Sequence, residues 1–530
     1  MTLNNYDRYL VELLKEPRSF FVIEELVTEL KQQFGVTDVN AKKIVQRAVS
    51  KKIIKSSSPV TFGKGRHIYF GLKSILDKDA ILKVAKLHRP PLYRLLSLLD
   101  INGGIISFFE GLKVTASPLE KSSTKVSNLK DLLQTLIDLY IVEEKNRNGI
   151  KYYVYSNIDE ESLNTKINKY YQSMVIDSMF LPDILRWLQK HNLIDNSNVV
   201  FRNRKQPQFG AVHNNLAWDA FAYTSTTGIH NKFEESNENK KTLIVLDAVL
   251  SRDYTEIDLQ GFYERIQIIR NAVKIGVRKI LPIVVLKNET GSIVSSIHKL
   301  GFLSLGVGTI YGEKIYEIIS NLQFIKNQEL VKMDDSELFV EAIGNILADL
   351  RQAGQELNLQ NIKGDLFESL MYPLISMIYT NSTIEPGRVL RKNDPTGKKE
   401  YYEYDYIITS SNQREFIIFE LKGYKSTNII KLGDTDTKNT IRWFFRRTLP
   451  FAQKALKNDI FSYPIKGCYI TTAKFEEDTI QVLEEINKSI LKPNLLDVYY
   501  DGKKLANLLE QTGLKKIIEI IDKYYYEKIK

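Results

Sequence analysis

The sequence predicts a multidomain chain of α/β and α+β type, and three observations lead there. Its 530 residues exceed what one core organises and suggest about three or four domains. Hydrophobic residues at 43% and charged residues at 26% are the composition of a folded globular protein, with 29 tyrosines and 24 phenylalanines to fill its cores. The hydrophobic period changes along the chain, from short helices with hairpins up to about residue 156 to strands alternating with helices beyond it.

Charge and cysteine content narrow the function. The net charge of +10 suits a polyanionic partner such as nucleic acid, although Lys- and Ile-rich proteins of A·T-rich genomes are often basic as well. One cysteine, Cys468, leaves no internal disulfide and no Cys-based zinc site, and the six histidines lack metal-ligand spacing. The start, MTLNNYDRYLVELLKEPRS, lacks a signal-peptide pattern, and no apolar run is long enough to span a membrane. The expectation is a cytoplasmic protein with no membrane partner. No Walker-type phosphate loop is present.

Residues 1–75 open with YDRYLVELLKE and FFVIEELVTELKQQF, both predicted helical. A third helix follows in TDVNAKKIVQRAVSKKIIKSS, with Asp38 or Asn40 as its N-cap. SPVTFGKGRHIYFGL reads as a hairpin turning at Gly63 and Gly65. Three short helices and a hairpin are the order of a winged helix. Lys42, Lys43, Arg47, Lys51 and Lys52 fall on the third helix and its exit, and Lys64 and Arg66 on the wing. These cations suit DNA phosphates and groove edges; the competing reading is a solvated basic face or a module for protein contacts.

Residues 80–156 repeat that order through LYRLLSLLDINGG, IISFFEGLKV, KVSNLKDLLQTLIDLYIV and a hairpin turning at Asn148-Gly149. This second winged helix is less basic, so scaffolding and DNA binding are equally served. Residues 170–325 change to an α/β pattern, with strands in LAWDAFAYT, TLIVLDAVLSR and KILPIVVL and a helix in GFYERIQIIRNAVKIG. The segment HNKFEESNENKK is polar, and residues 327–340 are expected to link to the last domain. Residues 340–530 repeat the α/β order: a long helix, the hairpin YYEYDYIIT and EFIIFELKGY, the helix TIRWFFRRTLPFAQKALKN, the strand KGCYITT, then a further helix, strand and helix. The two α/β halves read as diverged copies.

In EFIIFELKGY two opposite charges interrupt an apolar strand. Side chains alternate, so Glu420 and Lys422 share a face about 7 Å apart. The loop SSNQRE lets the partner strand lie antiparallel and brings Asp405 near Glu420. Two close carboxylates in an apolar setting need a compensating cation. A hard divalent ion such as Mg²⁺ or Mn²⁺ fits, and Lys422 would orient a water or offset phosphate charge. The bland alternative is a wet edge strand, since Glu29/Lys31, Glu143/Lys145 and Glu238/Lys240 share the triplet; none of those lies within an apolar strand run behind an Asp-bearing strand.

This pattern resembles the PD-(D/E)xK nuclease superfamily, over about residues 345 to 520. Asp405, Glu420 and Lys422 match its motif, although Tyr404 stands where the name has proline. Glu368 in GDLFESL matches the glutamate that members often add from the helix before the hairpin; otherwise it is a surface residue. The tail KGCYITTAKFEEDTI and LLDVYYDGKKLANLL is similar to that of Mrr-like restriction endonuclease domains, where Gln-x-Lys often replaces Glu-x-Lys. The resemblance implies two restriction-endonuclease-like domains behind the winged helices, and a metal-dependent DNA endonuclease in restriction or antiviral defence. Catalytic residues would be Glu368, Asp405, Glu420 and Lys422, with Asp405, Glu420 and Glu368 on the metal. Gln453 and Glu403 would give support, and Arg442, Arg446 and Arg447 would hold DNA phosphates. One site cuts one strand, so double-strand cleavage calls for a homodimer or sequential nicking. Protein partners of a defence system, a non-catalytic assembly role and an RNA-cutting effector stay open. The middle domain would be the degenerate copy, with Asp219 for Asp405, Asp247 for Glu420 and Val249 where the lysine belongs; an unrelated α/β domain with two incidental aspartates is the equal alternative.

Overall fold

The computed structural model describes residues 3–16, 19–120, 128–147, 149–226, 241–272, 279–289, 291–331, 336–393, 399–456 and 463–526. It is a mixed α/β architecture with several small sheets.

The first segment has helices Asn5–Leu13, Ile23–Phe34 and Asp38–Ser50, and strands β1 (Phe20–Val22), β2 (Lys55–Ser56) and β3 (Ile68–Phe70) in the order β1-β3-β2. The helix expected from Phe20 starts only at Ile23. Phe20, Phe21 and Val22 pair instead with Phe70, Tyr69 and Ile68. The Glu25 carboxylate sets this boundary by accepting a hydrogen bond from the Val22 amide at 2.8 Å. The third helix is capped by Thr37, not by Asp38 or Asn40, and Asp38 pairs with Lys31 at 2.7 Å.

The second segment repeats the arrangement. Helices Pro90–Ile101, Phe108–Thr115 and Leu129–Asp138 surround β4 (Ile105–Ser107), β5 (Val142–Arg147) and β6 (Ile150–Tyr155), ordered β4-β6-β5. Gly149 takes a positive φ of +73° at the hairpin turn, while Asn148 lies outside the described residues. Val22, Phe62 and Ile68 pack in one cluster with Leu95, Leu99 and Leu132, so the two segments share apolar contact.

Next come helix Glu160–Met179, β7 (Val200–Phe201), the hairpin β8 (Ala211–His213) and β9 (Leu216–Trp218), β10 (Ala220–Thr224) and β11 (Thr242–Val249). Helix Glu256–Ala272 leads to β12 (Ile280–Leu286), and helix Gly291–Lys299 to β13 (Leu303–Gly306). Of HNKFEESNENKK only Lys241 is among the described residues. The expected linker 327–340 is largely helical instead. Helix Ile315–Val331 runs into it and helix Ser336–Gln352 starts inside it, because Phe339, Val340 and Ile343 make the latter amphipathic and buried on one side.

The last part has helix Gln360–Ile378, β14 (Thr383–Pro386), β15 (Val389–Asn393), β16 (Lys399–Glu403), β17 (Tyr406–Ser410), β18 (Glu415–Lys422), β19 (Ile429–Ile430), β20 (Ile465–Thr471), β21 (Lys474–Phe475) and β22 (Tyr499–Tyr500). The expected strand YYEYDYIIT is broken in two. β16 pairs with β15, and β17 pairs with β18 in another sheet. Tyr404 makes the break: it is fully buried, and its hydroxyl donates to the Thr448 carbonyl at 2.5 Å.

The two five-stranded sheets have one topology. The first is β7-β10-β11-β12-β13 and the second β14-β17-β18-β20-β22, each with two antiparallel pairings and then two parallel ones. One face of each contributes to a single core cluster, together with the helices packed on them. Ala222, Ile244 and Leu246 from the first join Ile408, Ile417 and Phe419 from the second. On the opposite faces lie separate clusters, containing Val245 and Val249 in the first sheet and Ile407 and Ile418 in the second. By alternation, Asp247 shares the face of Val245, and Glu420 and Lys422 share that of Ile418.

Candidate active site

β17 and β18 pair with Tyr406 opposite Phe419, so the next step along the ladder sets Asp405 against Glu420. The Asp405 carboxylate is pinned there, accepting from the Leu421 amide at 2.7 Å. Lys422 lies 2.7 Å from Glu420 and 3.5 Å from Asp405. All three side chains are at most 16% exposed, so the charges compensate one another inside the protein rather than in water. The expectation of a solvated edge strand fails here, because β18 is flanked by β17 and β20.

Electrostatics follow from this burial. Burial pushes Glu420 up, Lys422 opposes that and Asp405 adds to it, leaving its carboxyl at about 7. Burial works on Asp405 in the same sense, but Lys205 and Lys422 outweigh it and hold the carboxyl below the usual range. Burial also disfavours charge on Lys422, yet Asp405 and Glu420 keep its ammonium well above the ordinary lysine value.

Lys205 belongs to the loop that follows β7, in the other sheet. Its ammonium contacts Asp405 at 2.6 Å, Glu403 at 2.9 Å and Glu368 at 3.5 Å. Arg204 beside it contacts Asp365 and, at 3.3 Å, Glu368. Asn203 donates to Glu403 at 2.9 Å. Glu368 and Glu403 are therefore brought to Asp405, Glu368 from helix Gln360–Ile378 and Glu403 from the end of β16. Glu403, two residues before Asp405, reaches the site from the end of β16, which belongs to another sheet than β17.

The remaining predicted residues lie elsewhere. Gln453 is exposed on helix Leu449–Ala455 and lines neither large cavity next to the acidic cluster. Arg442, Arg446 and Arg447 line neither cavity either. Arg447 pairs with Asp436 and donates to the Tyr402 hydroxyl at 2.8 Å, and Arg442 donates to the Gly433 carbonyl at 3.3 Å. Arg446 and Arg447 lie in a π-helical turn, Phe444–Thr448, just before Pro450. In the first segment Lys42, Lys43, Arg47, Lys51, Lys52 and Lys64 are exposed. Two of the predicted cations have partners within the chain: Lys51 with Asp7 at 3.0 Å and Arg66 with Glu24 at 2.7 Å.

Sequence reasoning missed Asp365, Arg204 and Lys205. Asp365 is three residues from Glu368 and shares its helix face, a signal that was available. RNRKQ shows three cations in four residues, but no spacing rule links it to a carboxylate 200 residues away.

The donor set is all oxygen, as a hard divalent ion requires, and the buried Oδ2 of Asp365 has no hydrogen-bond partner. In the arrangement shown an ammonium stands among these carboxylates. Among the described residues no group of three or more His, Cys, Asp or Glu side chains is disposed to hold a metal ion.

The corresponding place in the first sheet is also acidic. Ala220 faces Leu246, which sets Asp219 against Asp247, and the Ala248 amide donates to Asp219 at 2.8 Å, as Leu421 does to Asp405. Val249 follows where Lys422 stands. Lys113 supplies the missing cation from helix Phe108–Thr115, 2.5 Å from Asp219 and 3.2 Å from Asp247. Arg202 reaches Asp219 at 3.3 Å and Arg265 reaches Asp247 at 2.8 Å.

No helix among the described residues is long and apolar enough to cross a membrane. Comparisons with protein-family models, curated proteins and solved structures gave no match to this chain.

Proposed function

We propose that the C-terminal sheet carries a metal-dependent DNA endonuclease site of the PD-(D/E)xK type, with the two N-terminal segments acting as winged helices that engage DNA. The observation that carries this reading is the register-opposed pair of Asp405, just before β17, and Glu420 on the core strand β18, with Lys422 of the same strand 2.7 Å from Glu420. Buried charges are costly, and a phosphodiester-cleaving centre is a reason to keep them.

Asp405, Glu420 and Glu368 would hold Mg²⁺ or Mn²⁺, which supplies Lewis acidity and an activated water. The chain's own residues do the rest. The Leu421 amide fixes the rotamer of Asp405. Lys422 presents an ammonium that stays charged at neutral pH, to orient the attacking water and offset charge on the scissile phosphate. The exposed Lys42, Lys43 and Arg47 suit phosphates of a bound duplex. Restriction or antiviral defence is the setting the resemblance suggests, with a homodimer or sequential nicks for double-strand cuts.

The test is cleavage of supercoiled plasmid, linear duplex and single-stranded RNA with Mg²⁺ or Mn²⁺, by wild type, Lys422→Ala and Glu420→Ala. Cleavage of DNA by wild type, lost in both variants, is the expected outcome. Equal activity in all three overturns the site. Cleavage of RNA alone moves the substrate class, and a metal-loaded protein that cleaves nothing is a binding subunit.

A further inference from the structure

The loop from Arg202 to Gly210 joins two acidic sites. Arg202 turns back to Asp219 of its own sheet, and Arg204 and Lys205 turn outward to the C-terminal site. At the C-terminal site the buried Lys205 ammonium contacts Asp405 at 2.6 Å, Glu403 at 2.9 Å and Glu368 at 3.5 Å. Two adjacent monovalent cations thus stand against the carboxylates that would otherwise meet one divalent ion.

The match is incomplete where a latch differs from a permanent ion pair. Arg204 pairs with Asp365 through Oδ1 and leaves the buried Oδ2 without a hydrogen-bond partner. Cavities of about 1260 Å³ and 680 Å³ adjoin these two cations; Arg204, Asp365 and Glu368 line both, Lys422 lines the first, and Lys205 and Asp405 the second. Gly387, at φ +61°, lies beside the Lys205 stem, whose atoms are 3.4 Å from where a Cβ would stand, an ordinary van der Waals distance. The equivalent position in the first sheet is Arg202, because Ala220 faces Phe201 as Tyr406 faces Pro386. One sheet fills its acidic pair from its own strand end, and the other, with Gly387 there, receives a side chain from its neighbour's loop.

We propose that Lys205 and Arg204 form an intramolecular cationic plug that holds the Asp405–Glu420–Lys422 site closed, so that a divalent cation and a phosphodiester enter only after the Arg202–Gly210 loop withdraws. This regulation rests on the nuclease reading of the same site. The loop's cations and the metal compete for the same oxygens, and whatever binds the open state shifts the equilibrium toward it.

Mn²⁺ titration calorimetry on the full chain tests the plug without relying on cleavage. Lys205→Gln should bind Mn²⁺ at least about tenfold more tightly than wild type, and Lys205→Gln/Asp405→Asn should lose that gain. Lys205→Gln should also raise plasmid cleavage by a similar factor. A second measurement uses the unmutated protein, so a variant that fails to fold does not decide the matter. Acetylation of Lys205 by an amine-reactive reagent, followed by mass spectrometry, should be slow alone and several-fold faster with saturating Mn²⁺. Equal or weaker Mn²⁺ binding by Lys205→Gln, or acetylation indifferent to Mn²⁺, overturns the plug. A tenfold gain in Mn²⁺ affinity with no cleavage in any variant keeps the plug and removes the nuclease reading. Cleavage that is equal in wild type and Lys205→Gln, with equal Mn²⁺ affinity, does the reverse.

Discussion

In the middle sheet Asp219 and Asp247 face Lys113, Arg202 and Arg265; in the C-terminal sheet Asp405 and Glu420 face Lys422 and Lys205. Register and backbone hydrogen bond are alike in both, and the surroundings differ. Lys113, Asp219 and Asp247 are at most 6% exposed, whereas Glu368 and Glu403 around Lys205 are 20% and 27% exposed and two cavities adjoin Glu368. The lesson is that one strand arrangement serves two ends. Where the cations are built in and sealed, the acidic pair is a structural joint between segments. Where one cation is lent by a neighbouring loop, the pair can be reopened.

The largest effect should come from breaking the sealed joint. Lys113→Ala leaves two buried aspartates short of a cation and should cost about 3–5 kcal/mol of stability, read as a lower urea midpoint, with cleavage per folded molecule unchanged. At the C-terminal site Lys422→Ala should lower cleavage by roughly 100-fold or more while leaving the urea midpoint nearer to wild type. Similar stability losses at both sites would remove the distinction between them.

The contrast between open and internally paired cations extends to the first segment. Replacing Lys42, Lys43 and Arg47 by Gln should weaken duplex binding and lower its salt slope by about one per lost phosphate contact. Lys51→Gln and Arg66→Gln should do less, since Asp7 and Glu24 already hold those side chains; fluorescence anisotropy across a salt series reads the difference. The smallest effect is expected from Gly387→Ala. A Cβ at φ +61° costs about 1 kcal/mol and meets the Lys205 stem, so a small drop in the urea midpoint should accompany it.

Much of this was legible in the chain itself. Alternation in EFIIFELK put Glu420 and Lys422 on one face, and the short loop after Ser410 brought Asp405 opposite, because strand period and hairpin closure are local properties. Likeness to that motif, rather than a short loop, set Asp219 against Asp247 with Val249 in the lysine's place, and the β10–β11 register agrees. Local reasoning failed where a neighbour decided the outcome. Phe20–Val22 became a strand because β3 offered a partner, and YYEYDYIIT broke because Tyr404 was drawn inward to Thr448. Lys113 reaches its aspartates across more than 100 residues and Lys205 reaches Asp405 across 200. Sequence spacing fixes which side chains share a face, since that depends on backbone period. Only the packed chain decides which distant cation meets a buried carboxylate, since that depends on how segments dock and on the high cost of leaving such a charge alone.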